Sequence, residues 1–351
     1  MKLILPLICI APVIALVMIA MAFGGDYSVY IKNEKLPVIL KDFTGNIFRD
    51  GTFIDPDHSM DISFFRVLRW RFSTNPQAEE KKNDPFKLNV VPSSGIFDMK
   101  EDMIVWLGHA SFLLRIDGKT FLIDPVLDDL PLNKRLCGLP VQIGDVKNID
   151  YLLVSHSHLD HLDSTTIKKS RLNNVKALIP IGMAETINDF NDSIVCEEAG
   201  WFQKYSTEGP EVYFLPARHW SRRSLLDFNE VLWGSFIIKG KKKVIYFAAD
   251  SGYGSHFPQI AGLFPKIDIT LMPIGAYKPP HIMKKNHINP EEAVQASNVL
   301  KAGTFIPMHY GTFDLSDEPA GEPLRLLMDI NSRKGLKAKL KVLDPGEIMY
   351  L

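Results

Sequence analysis

Hydrophobic and polar positions divide the chain into three stretches. Residues 3–23 form a run of 21 without a charge, built from Leu, Ile, Ala, Val, Met, Phe, one Cys and two prolines. The run has no polar face, so an amphipathic core helix does not account for it. As a helix it would extend about 31 Å, roughly one bilayer core. The expectation is a hydrophobic anchor or signal segment over residues 1–25, and a membrane location through a single N-terminal anchor. Its side is open, because Lys2 flanks one end and Lys32, Lys35 and Lys41 the other. The alternative is signal cleavage after Ala20-Met21-Ala22, which gives a secreted or periplasmic protein.

Residues 26–103 read as a tether and strap, punctuated by the turn pairs Asp50-Gly51 and Asp55-Pro56. Within it Phe64, Phe65, Val67, Leu68, Trp70 and Phe72 are interleaved with Arg66, Arg69 and Arg71. That mixture suits either a membrane interface or a short amphipathic element packed on the main domain.

The third stretch, 104–351, is the main domain. Apolar runs at 104–107, 111–116 and 120–123, with the turn pair Asp117-Gly118, predict strands and a hairpin. Residues 149–154 predict another strand, and 232–238 with 244–249 a second hairpin ending at Asp250. Asn289-Pro290-Glu291-Glu292 is a helix start, with Asn as cap, Pro in the first turn and acids at the positive end of the helix dipole. Gly303 is expected to close that helix before residues 304–307 lead into His309. The result is a mixed α+β domain.

Composition narrows the function. The 40 basic and 41 acidic side chains balance to a net charge of -1, which disfavours a nucleic-acid partner because phosphate binding draws on an excess of Lys and Arg. Normal hydrophobicity excludes a disordered chain. The three cysteines, Cys9, Cys137 and Cys196, form no CxxC pair and no disulfide framework. There is no GxGxxG after a strand, no Walker A motif, no HExxH and no GxSxG.

The candidate chemistry lies in Ser155-His156-Ser157-His158-Leu159-Asp160-His161. In an extended segment residues two apart point the same way, so His156 and His158 can grip one ion. Asp160 and His161 follow after the chain bends and can address a second. Imidazole nitrogen and carboxylate oxygen are zinc donors without help from cysteine. His219, Asp250 and His309 stand at strand ends or in tight turns further on, and complete seven ligands for two ions if the Asp250 carboxylate bridges. His109 and Asp163 are expected beside the ligands, Asp163 accepting a ligand's other N–H. Two such ions lower the pKa of a shared water and offset charge on phosphoryl oxygens.

These residues match the HxHxDH motif, and the chain resembles the metallo-β-lactamase superfamily. Trp106 to Ser111, Leu232 to Ser235, Pro273 to Tyr277, His287 to Ala293 and His309 to Phe313 are similar to the branch of the N-acylphosphatidylethanolamine-hydrolysing phospholipase D. The resemblance implies a four-layer αβ/βα sandwich and two zinc ions, one held by His156, His158 and His219, the other by Asp160, His161 and His309, with Asp250 shared. It implies a catalytic part for Asp160, Asp250 and His287, with His287 also touching substrate. Leu159 and Arg222 are expected at the substrate as well, although Leu159 departs from the Tyr of the animal lipase; Arg222 with Arg223 keeps the basic character of the stretch after His219. The expected reaction is hydrolysis of a phospholipid diester to N-acylethanolamine and phosphatidic acid, with a phospholipid and the membrane as partners. The alternatives are another hydrolase of the superfamily, such as a lactonase for a phosphorylated sugar acid, and a non-catalytic membrane-tethered metal-binding protein.

Overall fold

The computed structural model describes residues 28–58 and 64–351. Two seven-stranded sheets carry the fold. In spatial order the first contains Ile348–Tyr350, Met103–Gly108, Ser111–Ile116, Lys119–Ile123, Tyr151–Leu153, Lys176–Pro180 and Val195–Ala199. The second contains Gln203–Lys204, Glu211–Leu215, Ser235–Lys239, Val244–Phe247, Ile269–Pro273, Thr304–Met308 and Lys339–Leu340.

Period-two alternation sorts the strand residues between two cores. Ile104, Trp106, Phe112, Leu114, Phe121 and Ile123 join Phe214, Phe236 and Tyr246 of the other sheet. Their strand neighbours Met103, Val105, Leu113 and Leu122 face the opposite way, into a cluster with Ile167 and Ile187. Those two belong to helices Ser164–Lys169 and Ala184–Phe190, which therefore cover the first sheet from outside. Helices His256–Leu263, Pro290–Val299 and Glu322–Ser332 supply Ile260, Ala293 and Leu327 to the other core. The arrangement is helix, sheet, sheet, helix, a mixed α+β sandwich of four layers.

The expected elements form with shifts at their ends. The first hairpin pairs Ile116 with Lys119 across Asp117-Gly118. The second starts at Ser235 rather than 232, because Trp233 and Gly234 turn inward: the Trp233 indole donates to the Ala217 carbonyl, and a Cβ on Gly234 would lie 2.4 Å from the Leu215 carbonyl oxygen. Asn289 caps Pro290–Val299 in a reciprocal box with Glu292. The helix stops earlier than Gly303, with Lys301 as its left-handed residue. Gly303 serves a close approach instead, its would-be Cβ 2.9 Å from the Asp268 carbonyl oxygen.

The strap wraps the body. Val29–Ile31, Asn46–Arg49 and Thr52–Ile54 form a small antiparallel sheet, and Leu36 and Phe53 enter the main core. The arginine-rich segment forms helix Phe64–Arg71, with Phe65 exposed and the Trp70 indole donating to Asp317.

The expectation of a membrane location through a single N-terminal anchor is corrected. Among the described residues no helix is long and apolar enough to cross a membrane. The longest of them, Glu322–Ser332, has 11 residues, about 16 Å and half a bilayer core. The hydrophobic segment over residues 3–23, and Cys9 within it, lie outside the described residues.

Candidate metal centre

Strand ends build the site. The loop 155–161 follows Tyr151–Leu153, His219 follows Glu211–Leu215, Asp250 follows Val244–Phe247 and His309 follows Thr304–Met308. His109 follows Met103–Gly108 and Asp124 follows Lys119–Ile123. Each chain must turn sharply as it leaves its sheet, and His109, Asp124, Ala249 and His309 all take positive φ there. Non-glycine residues in that region cost of order 1–3 kcal/mol each and need an over-determined setting. The buried bonds described next supply it.

The structure brings all seven expected ligands together. His156, His158, His219 and Asp250 each offer a donor atom within 4.8 Å of the others, and so do His109, Asp160, His161 and His309. The His158 Nδ1 lies 2.9 Å from His156 Nε2 and 3.2 Å from His219 Nε2. Asp250 faces the second group as well, with its oxygens 3.0 Å from His309 Nε2 and 3.2 Å from His161 Nε2.

Outer hydrogen bonds aim the rings. Asp124 accepts from the Ser155 amide at 2.7 Å, the Ser155 hydroxyl at 2.6 Å and His161 Nδ1 at 2.7 Å. With the Ser155 proton on Asp124, its oxygen accepts from His156 Nδ1 at 2.9 Å. His219 Nδ1 donates to the Asn286 carbonyl at 3.0 Å. The free lone pairs of His156, His161 and His219 are thereby all on Nε2, turned into the cluster. His109 Nε2 lies 3.0 Å from an Asp160 oxygen and holds that carboxylate.

Electrostatics favour a cation at the centre. Burial pulls His158 and His287 down to about 4 and His109 to about 3. Burial acts on His309 in the same direction, but the Asp250 and Asp160 carboxylates outweigh it and hold it up at about 9. Burial would raise Asp160 and Asp250, yet the surrounding imidazoles keep both well below the carboxylate range. His158 Nε2, His161 Nε2, Asp250 Oδ1 and His309 Nε2 are buried without a hydrogen bond. Of these, His161 Nε2, Asp250 Oδ1 and His309 Nε2 face one another across the cluster, and ligand atoms gathered in this way fit bound metal.

The remaining expected residues are placed differently from one another. His287 stands beside the cluster, its ring 5.1 Å from that of His219 and its Nδ1 3.7 Å from Asp250. Leu159 is partly exposed on the metal loop. Arg222 lies over the Trp220 ring, which packs edge-on against His158. Arg223 turns inward and donates to the Ser157 and Leu162 carbonyls, so it braces the metal loop. The expectation for Asp163 is corrected: its carboxylate caps helix Ser164–Lys169 by accepting from Thr165 and Thr166, because it follows the loop where the helix begins. Asp124 does the work assigned to it. The signal in the sequence was a carboxylate directly after an apolar strand, 32 residues before His156.

A fold of two facing sheets with a His/Asp cluster at the strand ends is that of a metal-dependent hydrolase. Residues 119–310 match the model of the beta-lactamase superfamily domain, and the chain belongs to this superfamily. An uncharacterized protein of Mycobacterium tuberculosis is 34% identical over 302 residues, covering 80% of this chain and 78% of its own. The N-acyl-phosphatidylethanolamine-hydrolyzing phospholipase D 1 of Caenorhabditis elegans is 32% identical over 266 residues, covering 69% of this chain and 74% of its own. A metallo hydrolase from Ignicoccus hospitalis, 22% identical, shares the fold with a TM-score of 0.56 over 71% of this chain and 97% of its own.

Proposed function

We propose that this hydrolase is a phosphodiesterase of phospholipase D type that uses two zinc ions to cleave N-acylphosphatidylethanolamine into N-acylethanolamine and phosphatidic acid. The observation that carries the reading is the pair of donor groups sharing Asp250, His156 with His158 and His219 on one side and Asp160 with His161 and His309 on the other. When bound, two zinc ions supply Lewis acidity and an activated water.

The protein's own residues hold and orient. Asp250, between both groups, fixes their separation. Asp124, Ser155, Asn286 and His109 keep His161, His156, His219 and Asp160 in one orientation, so little reorganisation of these four accompanies the reaction. His287 is neutral near pH 7, since burial holds it at about 4. Among the described residues its Nδ1 has no hydrogen-bond partner, which suits a contact to a phosphoryl oxygen or the leaving oxygen. Water adds at phosphorus, the bond from phosphorus to the ethanolamine oxygen breaks, and that oxygen takes a proton.

Support for a lipid comes from the cavity beside the centre. It measures about 230 Å³ and is lined by His109, His309, Phe86, Leu136 and Phe313 together with charged groups such as Lys81, Lys87 and Asp314, a mixed lining that suits an amphipathic phospholipid. The Caenorhabditis elegans relative acts on this lipid by name. The test is incubation of purified, zinc-replete full-length protein with N-acylphosphatidylethanolamine. The expected result is equimolar N-acylethanolamine and phosphatidic acid; turnover of a phosphorylated sugar lactone without turnover of the lipid overturns the proposal.

A further inference from the structure

His58 belongs to the strap, far in sequence from every ligand of the metal centre. It follows strand Thr52–Ile54 in a turn closed by its own amide donating to the Asp55 carbonyl, and it is buried at 4% exposure. Its two ring nitrogens reach two different segments of the centre. Arg218 Nε donates to His58 Nδ1 at 3.1 Å. His58 Nε2 lies 2.9 Å from the Asn286 side-chain oxygen. A guanidinium only donates, so Nδ1 must accept, and the ring's single proton sits on Nε2 and is donated to Asn286. The geometry therefore selects one neutral tautomer.

Both partners of His58 adjoin residues of the cluster. Arg218 precedes His219, and its backbone is pinned by bonds to the Ser251 hydroxyl and from the Gly252 amide. Asn286 precedes His287, and its carbonyl is the acceptor that orients His219. The same asparagine thus takes a bond from the strap on its side chain and gives His219 its direction through its main chain. Two ligands of the other group are held by different residues: His161 is oriented by Asp124 and Asp160 by His109.

We infer that His58 is a positioning residue of the metal centre, which sets the orientation of His219, and with it the ion held by His156, His158 and His219, by tying the strap to Asn286 and Arg218. The inference rests on the two-metal reading and is independent of the lipid.

The test compares His58→Leu, which removes both bonds, with His58→Gln, which retains one donor and one acceptor. Full-length proteins are titrated with zinc against a chelator, and the visible spectrum of the cobalt(II)-loaded forms is recorded. In His58→Leu one of the two zinc sites should weaken about 10-fold or more, the usual scale for loss of an outer-shell partner, and half of the cobalt spectrum should change. The other site should keep its affinity, and His58→Gln should recover most of the loss. Two wild-type affinities in His58→Leu overturn the inference, as does an equal loss at both sites that follows a fall in thermal stability. If His58→Leu does not fold, Asn286→Ala, which cuts the tie to His58 and keeps the main-chain carbonyl under His219, replaces it: one selectively weakened site in that variant supports the inference, and wild-type affinity at both sites overturns it. Wild-type protein that binds no zinc pair sinks the two-metal reading instead.

Discussion

Asp124 offers the sharpest test of how the centre is held. The Asp124→Asn substitution keeps size and shape, so packing is nearly unchanged, and the fully buried side chain has no room to escape. One oxygen of the amide can still accept from the Ser155 amide at 2.7 Å. The other position becomes an NH₂ group, and it faces the Ser155 hydroxyl at 2.6 Å and His161 Nδ1 at 2.7 Å, both of which donate in the native arrangement. The Ser155 hydroxyl can rotate, at the cost of its acceptance from His156. His161 can relieve the clash only by moving its proton to Nε2, the atom that faces Asp250 and the cluster. Hydrogen bonds to a charged group contribute about 1.5–3 kcal/mol each. Loss of one such bond at His161 corresponds to roughly 10- to 100-fold weaker binding at the Asp160, His161 and His309 group, in line with other outer-shell changes. Chelator competition on the folded variant measures this directly. If Asp124→Asn binds both zinc ions with native affinity and native melting temperature, the orienting role of Asp124 is refuted.

Asp250→Ala should remove the shared carboxylate and with it both metal affinity and hydrolysis, checked by metal content after dialysis; activity in a metal-free variant would refute the mechanism. Asp55 is pushed up to about 6, chiefly by burial, so its contribution to stability is full below about pH 4 and is lost as pH rises through 6. Asp55→Asn should therefore be more stable than the native protein at pH 8, by at most about 3 kcal/mol, with the gain vanishing near pH 4; urea unfolding at the two pH values measures it. A Cβ on Gly252 would lie 2.1 Å from the Lys285 carbonyl oxygen. Gly252→Ala should accordingly cost about 2 kcal/mol or more and displace Asn286, read as a lower unfolding midpoint together with weaker zinc binding. Asn289→Ala should cost about 1 kcal/mol through loss of the capping box and leave zinc binding unchanged.

Much of the scaffold was legible in order along the chain. Unbroken apolar runs within residues 104–123, parted by the Asp117-Gly118 turn, mark strands that are buried on both faces. Asn289-Pro290-Glu291-Glu292 carries all its capping partners within four residues. The loop from His156 to His161 was legible for the same reason: two-residue spacing places donors side by side without reference to the rest of the fold. Element ends were less so, because neighbours set them: the Gly234 amide leaves the ladder to donate to the Ser155 carbonyl, with no room for a Cβ against Leu215, and Gly303 is there to clear Asp268.

Local chemistry in the sequence thus determined the strands, the capped helix and the metal-binding character of the His/Asp loop, since each depends on residues a few positions apart. Only the tertiary structure decided how those donors are aimed. Asp124 rather than Asp163 orients His161, Arg223 rather than Arg222 braces the loop, and a strap histidine reaches Asn286 from 228 residues away. The physical reason is that a hydrogen bond selects a partner by distance and direction in space, and those are set when the two sheets bring their strand ends to one edge.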